Sequence, residues 1–154
     1  MLGSIITRFL CKSKYNVIAQ YNKSQIKFSA PNLIKLNADI KAINVLKIKP
    51  DVVINCIGKK IFTSQFFFIN SIFPVKLFLE CNYAGVKKFI HFSSVGSLGA
   101  ELNAGYVNEL FTSKTKNFYE ISKNIADQAL LSMQRFKIYT DLIILAPIIG
   151  AIIK

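Results

Sequence analysis

Short apolar runs alternate with helical segments from one end of this 154-residue chain to the other. The run Val52-Val53-Ile54 is continuously apolar, which favours a strand covered on both faces within a parallel sheet. Strands that alternate with helices predict βαβ units and, with right-handed crossovers, an α/β fold built on a doubly wound parallel sheet. Strands are predicted at residues 16–20, 33–36, 51–56, 88–93 and 140–145, and helices at residues 4–12, 40–46, 70–83 and 118–135.

The charge balance narrows the range of partners. The chain carries 20 Lys+Arg against 8 Asp+Glu, which is a formal net charge of +12. A basic balance of this size can signal nucleic acid. The lysines, however, are scattered singly and in pairs, and no aromatic-and-basic binding module occurs. We therefore expect no nucleic-acid partner, and we expect one domain spanning residues 1–154.

The cysteine and histidine pattern predicts reduced thiols and no metal site. Cys11, Cys56 and Cys81 lack a Cys-x-x-Cys spacing, and the single histidine, His91, cannot complete a zinc site with them. His91 lies inside an apolar run and is predicted to be a strand residue. Unpaired thiols favour a cytoplasmic location. Polar and charged residues and a proline interrupt the apolar stretch 61–81, which predicts a loop and a buried helix rather than a membrane span.

Polar and small residues collect where the predicted strands end. Asp39 follows the second strand, residues 55–58 follow the third, and Ser93-Ser94 follow the fourth. Ligands of parallel α/β sheets bind beyond these carboxyl ends, so the repeated placement predicts a binding site there. Each position has a structural alternative. Asp39 could cap a helix, Gly58 could only make a turn, and the two serines could cap a helix or be solvated.

A tyrosine and a lysine stand four residues apart in the sequence Tyr119-Glu120-Ile121-Ser122-Lys123. On the predicted helix they share one face. A lysine ammonium beside a phenol favours the phenolate form, and such a tyrosine can accept or donate a proton near neutral pH. This chemistry can interconvert an alcohol and a carbonyl beside a nicotinamide.

These strand-end residues and the Tyr119–Lys123 pair follow one another along the chain in an order that resembles the extended short-chain dehydrogenase/reductases. Within that superfamily, the chain resembles the NAD-dependent epimerase/dehydratase group of nucleotide-sugar enzymes. The separation of 25 positions between Ser94 and Tyr119 is typical of that group. The resemblance implies a Rossmann-like fold and hydride transfer between NAD or NADP and a sugar nucleotide or similar alcohol. It covers nearly the whole chain and is carried by residues 1–4, 38–40, 51–58, 85–94 and 119–123.

The same resemblance implies roles for individual residues. Tyr119 would be the catalytic acid or base, Lys123 would tune it and hold the nicotinamide ribose, and Ser94 would hydrogen-bond the reacting substrate oxygen. A preorganised hydroxyl and a cation-tuned phenol suit charge that develops on one oxygen. The residues implied in cofactor binding are Leu2, Gly3, Asp39, Ile40, Cys56, Ile57, Gly58, Asn70, Tyr119 and Lys123.

The chain departs from the family's pattern at both ends. Of the three glycines that the dinucleotide fingerprint places after the first strand, only Gly3 is present, and Ala146 stands where the family often has arginine. The first strand and two glycines would precede Met1, and the substrate region would follow Pro147. We therefore expect a domain that is incomplete at both ends, with a gap in its sheet and a weakened pyrophosphate site.

The choice of cofactor and the activity of the chain are open at this point. No acidic residue follows the strand 16–20, and Lys23 could meet a 2′-phosphate, which favours NADP slightly over NAD. Lys23 could equally be one more solvated lysine. Two alternatives to an active enzyme are a non-catalytic dinucleotide-binding member of the superfamily and a truncated chain that is inert by itself. The implied partner is a small molecule, a nucleotide sugar, and by analogy the helices 70–83 and 118–135 could pair across a homodimer.

Overall fold

The computed structural model describes residues 2–23, 25–99, 114–133 and 138–143. The chain divides into two compact units, Met1–Asn44 and Val45–Lys154. The strands of the first unit form a two-stranded sheet, and those of the second unit form a three-stranded sheet. The single domain expected from the chain length stays a prediction.

The first unit is built on a helix and a pair of parallel strands. Helix α1 (Leu2–Leu10) precedes strand β1 (Val17–Tyr21), which pairs in parallel with β2 (Leu33–Asn37). Along β1, the alternate residues Val17 and Ala19 are buried. Side chains on a strand alternate between two faces, so one face of β1 is covered by the protein.

The second unit contains a parallel three-stranded sheet. Its strands are β3 (Val52–Asn55), β4 (Lys88–Phe92) and β5 (Tyr139–Ile143), with β4 in the middle. The register places Asn55 opposite His91. The carboxyl ends of β3 and β4 therefore lie side by side.

The described α-helices of the second unit are α2 (Val45–Ile48), α3 (Phe73–Ala84) and α4 (Phe118–Ser132). Phe78 of α3 and Phe89 of β4 are both fully buried. Their ring centroids lie 5.6 Å apart with an interplanar angle of 75°, which is an edge-to-face contact. The hydrophobic core of this unit therefore includes a direct contact between α3 and the central strand.

One turn of π-helix, Phe68–Ile72, leads directly into α3, and the N–H of Phe73 donates to the Phe68 carbonyl oxygen five residues back. Pro74 accounts for this widening. Proline has no N–H to donate to the carbonyl of Asn70, and its ring clashes with that carbonyl in a regular helix. Single π turns inside helices are frequent at functional sites, and this one carries the buried side chains of Asn70 and Ser71.

Two glycines in the left-handed region give a matched pair of substitutions. Gly85 (φ 74°) ends α3, and Gly99 (φ 62°) ends a 3₁₀ helix, Val95–Leu98. A Cβ on Gly99 would lie 2.0 Å from the Lys114 carbonyl oxygen, whereas a Cβ on Gly85 would meet nothing within 4 Å.

We expect Gly85→Ala to cost about 1–2 kcal/mol of unfolding free energy from backbone strain. Gly99→Ala should cost about 1–3 kcal/mol more, because it adds a backbone clash. Urea unfolding followed by circular dichroism measures both losses, and equal values would contradict the close approach at Gly99.

The five predicted strands and the helices predicted at 4–12, 70–83 and 118–135 are present, with ends that differ by a few residues. The helical segment predicted at residues 40–46 is divided between a 3₁₀ helix, Ile40–Ala42, and α2, which begins at Val45. The five described strands are parallel to their neighbours in the two sheets, and the gap expected in a single sheet stays a prediction. The expectation that the third strand is covered on both faces is wrong at its first residue, since Val52 is 46% exposed. The predicted residues 134–135 and 144–145, together with Ala146 and Pro147, lie outside the described residues. Among the described helices, none has the length and hydropathy needed to cross a membrane.

Candidate active site

The carboxyl ends of β3 and β4 bring two predicted segments together. Because Asn55 and His91 are register partners, residues 56–58 and Ser93-Ser94 leave adjacent strands at the same edge of the sheet. The Ser94 Oγ accepts a hydrogen bond from the Gly96 N–H at 3.3 Å and caps the short 3₁₀ helix. The capping role weighed for this serine is therefore present.

The first turn of α4 places the Tyr119 ring beside Gly96, two residues after Ser94. Asn117 caps this helix, since its Oδ1 accepts from the Glu120 N–H at 3.0 Å and its Nδ2 donates to Glu120 Oε1 at 2.8 Å. This reciprocal cap fixes where the helix begins. A Cβ on Gly96 would lie 3.5 Å from Ser94 Oγ and 3.8 Å from Tyr119 Cε1. The two predicted catalytic side chains therefore border the same small space above Gly96.

Lys123 lies one helical turn after Tyr119 and is 3% exposed. Its Nζ donates to the carbonyl oxygen of Phe92, the last residue of β4, at 3.1 Å. Burial lowers the pKa of Lys123, and the negative charge of Asp127 acts in the opposite direction. The predicted lysine is thus held against the end of the central strand in a poorly solvated position.

The side chain of Asn70 joins the loop after β3 to helix α4. Its Oδ1 accepts from the Lys59 N–H at 2.8 Å, and its Nδ2 donates to Lys59 O at 2.7 Å and to Ser122 Oγ at 3.1 Å. Ser71 adds a hydrogen bond from its Oγ to Ser122 O at 2.8 Å. Asn70 therefore shapes the loop beside the predicted cofactor residues, and its nearness to a cofactor stays a prediction.

The loop that follows β3 contains the predicted residues Cys56, Ile57 and Gly58. The Ile57 N–H donates to Asn55 Oδ1 at 3.1 Å, and a Cβ on Gly58 would meet only Asn70 Oδ1, at 3.8 Å. Burial raises the pKa of the Cys56 thiol to about 11. Because the thiolate is the nucleophilic form, this cysteine is not activated for catalysis.

The remaining predicted cofactor residues belong to the first unit. Asp39 caps a 3₁₀ helix, Ile40–Ala42, because its Oδ1 accepts from the Lys41 N–H at 2.9 Å. Its Oδ2 accepts from Asn22 Nδ2 at 3.1 Å. The capping alternative for Asp39 is therefore present. Leu2 and Gly3 lie in the first turn of α1, and Ile40 begins the 3₁₀ helix.

A buried polar network, formed by Asn55, His91, Ser93 and Asp127, connects β3, β4 and α4. Asn55 Nδ2 lies 3.0 Å from His91 Nδ1, and His91 Nε2 lies 4.0 Å from Asp127 Oδ1. The Ser93 hydroxyl donates to Asp127 Oδ2 at 2.5 Å. All four side chains are buried. The network runs from the end of β3 to the helix that carries Tyr119 and Lys123.

Burial is the main cause of the pKa shifts of His91 and Asp127 in this network. Burial lowers the pKa of His91 to about 3, with the charge of Lys123 acting in the same direction. His91 is therefore neutral near pH 7. Its place within β4 confirms the prediction that it is a strand residue. Burial raises the pKa of Asp127, whereas hydrogen bonds from Ser93 and Ser97 and the charge of Lys123 lower it. Among the residues that the structure describes, no three His, Cys, Asp or Glu side chains are grouped as a metal site requires.

Two residues of this arrangement were missed from the sequence. Asp127 stands four residues after Lys123, the spacing that also separates Lys123 from Tyr119, so helical periodicity places all three on one face. Asn117 stands three residues before Glu120, which is the spacing of a capping box. Both signals were present in the sequence, but neither residue type distinguishes a structural role from a solvated one.

Solved structures with the same fold include several sugar-nucleotide enzymes. The chain is similar to a UDP-glucuronic acid 4-epimerase from Bacillus cereus in complex with NAD (TM-score 0.79, 17% identity, 92% of this chain and 52% of that chain). It is also similar to a UDP-N-acetylglucosamine 4-epimerase from Methanobrevibacter ruminantium M1 in complex with UDP-N-acetylmuramic acid (0.79, 19%, 92% and 50%). A third is the Bordetella bronchiseptica enzyme WbmG in complex with NAD (0.77, 13%, 92% and 48%). The likeness confirms the Rossmann-like α/β fold, and the chain spans about half the length of these proteins.

No curated protein matches the chain. A model of the NAD-dependent epimerase/dehydratase family matches residues 1–151, which is nearly the whole sequence. The family resemblance drawn from the motifs is thereby confirmed. The chain belongs to the NAD-dependent epimerase/dehydratase family.

Proposed function

We propose that this chain carries the acid–base group of an NAD-dependent enzyme that acts on a nucleotide sugar. The observation that carries the proposal is the placement of Ser94 Oγ and Tyr119 Cε1 around one space above Gly96. Lys123 follows on the next turn of the same helix. A hydroxyl, a phenol and an ammonium in this order can bind and protonate one substrate oxygen.

Each of these side chains has a defined task in the proposal. Tyr119 would remove the proton of a sugar hydroxyl when the alcohol is oxidised, and would return it when the carbonyl is reduced. Ser94 would hydrogen-bond the same oxygen and hold it beside the phenol. Lys123 would place a positive charge on the turn after Tyr119 and would stabilise negative charge as it develops on the reacting oxygens. Bound NAD supplies the hydride acceptor that this chemistry requires.

Two features of the second unit fit a dinucleotide. The Lys123 ammonium has three N–H donors, of which one donates to Phe92 O, so the others could bind ribose hydroxyls. Gly58 is exposed, and the position of a Cβ there is clear of neighbouring backbone. A glycine of this kind lets a ligand approach the main chain closely. We propose that Lys123 and the loop at Gly58 hold the nicotinamide half of the cofactor.

We propose NAD rather than NADP as the cofactor. The similar enzymes from Bacillus cereus and Bordetella bronchiseptica are complexes with NAD. The slight preference for NADP drawn from Lys23 finds no support in these relatives. The exposed side chain of Lys23 agrees with the alternative of a solvated lysine. The UDP-sugar names of the relatives support a nucleotide sugar as substrate.

Nucleotide titration followed by a substrate assay tests the proposed function. We expect the full chain to quench or enhance NADH fluorescence in a saturable manner and to bind NADPH more weakly. Incubation with NAD and a series of UDP-hexoses, followed by NMR of the sugar, is expected to show oxidation or epimerisation of one of them. A folded chain that binds NADH without converting any sugar would favour the non-catalytic alternative. A folded chain that binds neither nucleotide would favour the alternative in which the truncated chain is inert by itself.

Two further expectations concern the protein outside its site. A homodimer through helices α3 and α4 and a cytoplasmic location both stay predictions. Large apolar side chains exposed on or beside these helices are compatible with such a dimer; they are Ile72, Tyr83, Phe118 and Ile125.

A further inference from the structure

A buried lysine needs a nearby negative charge to stay protonated. Lys123 is 3% exposed, and removing an unpaired ammonium from water is strongly unfavourable. Asp127 stands one helical turn further along α4 and is also 3% exposed. A carboxylate and an ammonium four residues apart on a helix are neighbours. The two side chains therefore share one poorly solvated region, in which their mutual attraction is weakly screened.

We propose that Asp127 is a positioning residue whose buried carboxylate keeps Lys123 in its ammonium form, so that the charge needed beside Tyr119 is maintained. The inference rests on the proposed function of Tyr119 and Lys123. In this arrangement Tyr119, Lys123 and Asp127 follow one another at four-residue intervals along one face of α4. Tyr119 then stands one helical turn before Lys123, and Asp127 stands one turn after it.

The Asp127 carboxylate is fixed relative to the strand that carries the site. Ser93 Oγ donates to Asp127 Oδ2 at 2.5 Å, and Ser93 immediately precedes Ser94 in the chain. The Lys123 ammonium donates to Phe92 O at 3.1 Å, at the residue before Ser93. The Asp127 carboxylate and the Lys123 ammonium are thus both hydrogen bonded at the end of β4, to Ser93 and Phe92 respectively. The charge pair and the predicted substrate-binding hydroxyl are positioned by the same three consecutive residues.

The other neighbour of Asp127 is His91, and its hydrogen-bonding state can be deduced. The Ile57 N–H donates to Asn55 Oδ1 at 3.1 Å, so the Asn55 Nδ2 is the group that faces His91 Nδ1 at 3.0 Å. Since Nδ2 is a donor, Nδ1 accepts and the imidazole proton sits on Nε2. That N–H faces Asp127 Oδ1 at 4.0 Å. The two atoms are too far apart for a hydrogen bond, so the neutral His91 does not replace the charge of Lys123 near the carboxylate.

The groups that face Asp127 can be named for each packed element. Strand β4 contributes the neutral His91, and the 3₁₀ helix contributes the hydroxyl of Ser97. On the neighbouring strand β5, the carboxylate of Asp141 pairs with Lys88 at 2.7 Å. In this part of the chain, Lys123 is the charged group that acts on Asp127. The pair is mutual, because Asp127 is also the charge that opposes the effect of burial on the pKa of Lys123.

Removal of the Asp127 charge is therefore expected to weaken proton binding at Lys123. We predict that Asp127→Asn lowers the proton affinity of Lys123 on the order of tenfold, which corresponds to one pKa unit. The measurement is a pH titration of the ¹³Cε signals of labelled lysine in the full chain, with Lys123 assigned by the loss of its signal in Lys123→Met. The matched control is Asp141→Asn, which removes the same charge from a part-exposed pair and should leave the Lys123 titration unchanged.

A reciprocal titration tests the same pair from the other side. In Lys123→Met, the Asp127 carboxyl is expected to titrate at higher pH than in the wild-type chain, because its stabilising charge is gone. If Asp127→Asn does not fold, this measurement decides alone. A residue that only supports the fold would change stability and leave both titrations in place, and unchanged titrations in folded variants would overturn the proposal. Neither titration requires NAD or a sugar, so the result stands apart from the outcome of the binding and turnover assays.

Discussion

If the chain has the proposed activity, Tyr119→Phe is expected to reduce turnover by about 10²- to 10⁴-fold, which is the usual contribution of a positioned acid–base group. The substitution removes one oxygen and keeps the ring that borders the space above Gly96. Substrate and nucleotide would still bind, but the proton of the sugar hydroxyl would have no acceptor. Steady-state rates measure the loss of turnover. A fluorescence titration with NADH measures nucleotide binding, and we expect it to give nearly the same affinity as for the wild-type chain.

Tyr83→Phe provides the control for that experiment. Tyr83 lies near the end of α3 and is 79% exposed, so the same oxygen is removed far from the packed interior. This variant is expected to keep full turnover. If Tyr119→Phe retained turnover at the level of Tyr83→Phe, the assignment of Tyr119 as the proton carrier would be wrong.

Phe89→Ala is expected to cost about 3–5 kcal/mol of unfolding free energy, as for other fully buried aromatic side chains. Phe89 is on β4, the central strand of the second unit, and its ring meets Phe78 of α3 at 5.6 Å. Domains are stabilised by only about 5–15 kcal/mol in total. The variant is therefore expected to lose a large part of the stability of the second unit. Urea unfolding, with amide hydrogen exchange of the β4 residues as a second probe, measures the loss.

Phe9→Ala is the surface control for Phe89→Ala. Phe9 is on α1 and is 74% exposed, so its truncation removes little buried area. We expect a change within about 0.5 kcal/mol, as for most surface substitutions. A double variant, Phe78→Ala with Phe89→Ala, should cost less than the two single variants added together, since the residues contact each other. Additive losses would exclude the edge-to-face contact as a source of stability.

The order of elements was predictable because strands and helices leave different periodicities in the sequence. The runs that became β3 and β4 are short and apolar, and the glycine predicted to end the helix after β3 does so, with Gly85 in the left-handed region. The pair of Tyr119 and Lys123 was predictable from helical spacing alone. Those features depend on residues near one another in the chain.

Features that depend on distant residues were not predictable in the same way. The π turn arises because Pro74 lies inside a helix that has already begun, whereas the sequence placed the start of that helix at Asn70. The burial of Asp127 depends on β4 and on Ser93, the residue that follows this strand and lies 34 positions before Asp127 in the chain. A charged residue in a helical pattern is usually solvated. Its role as a buried partner becomes visible only when the strand is in place.

The sheet edges bear on the handling of the protein in solution. Of the five described strands, only β4 has a neighbour on both sides, so β1, β2, β3 and β5 each have an unpaired edge within those residues. An open edge offers backbone N–H and C=O groups to another chain. The apolar side chains of β3 carry no charge of their own, and Asp51, already paired with Lys87, stands before them. Self-association through such an edge would increase with the concentration of the chain, and light scattering would measure it as a rise in mean molecular mass.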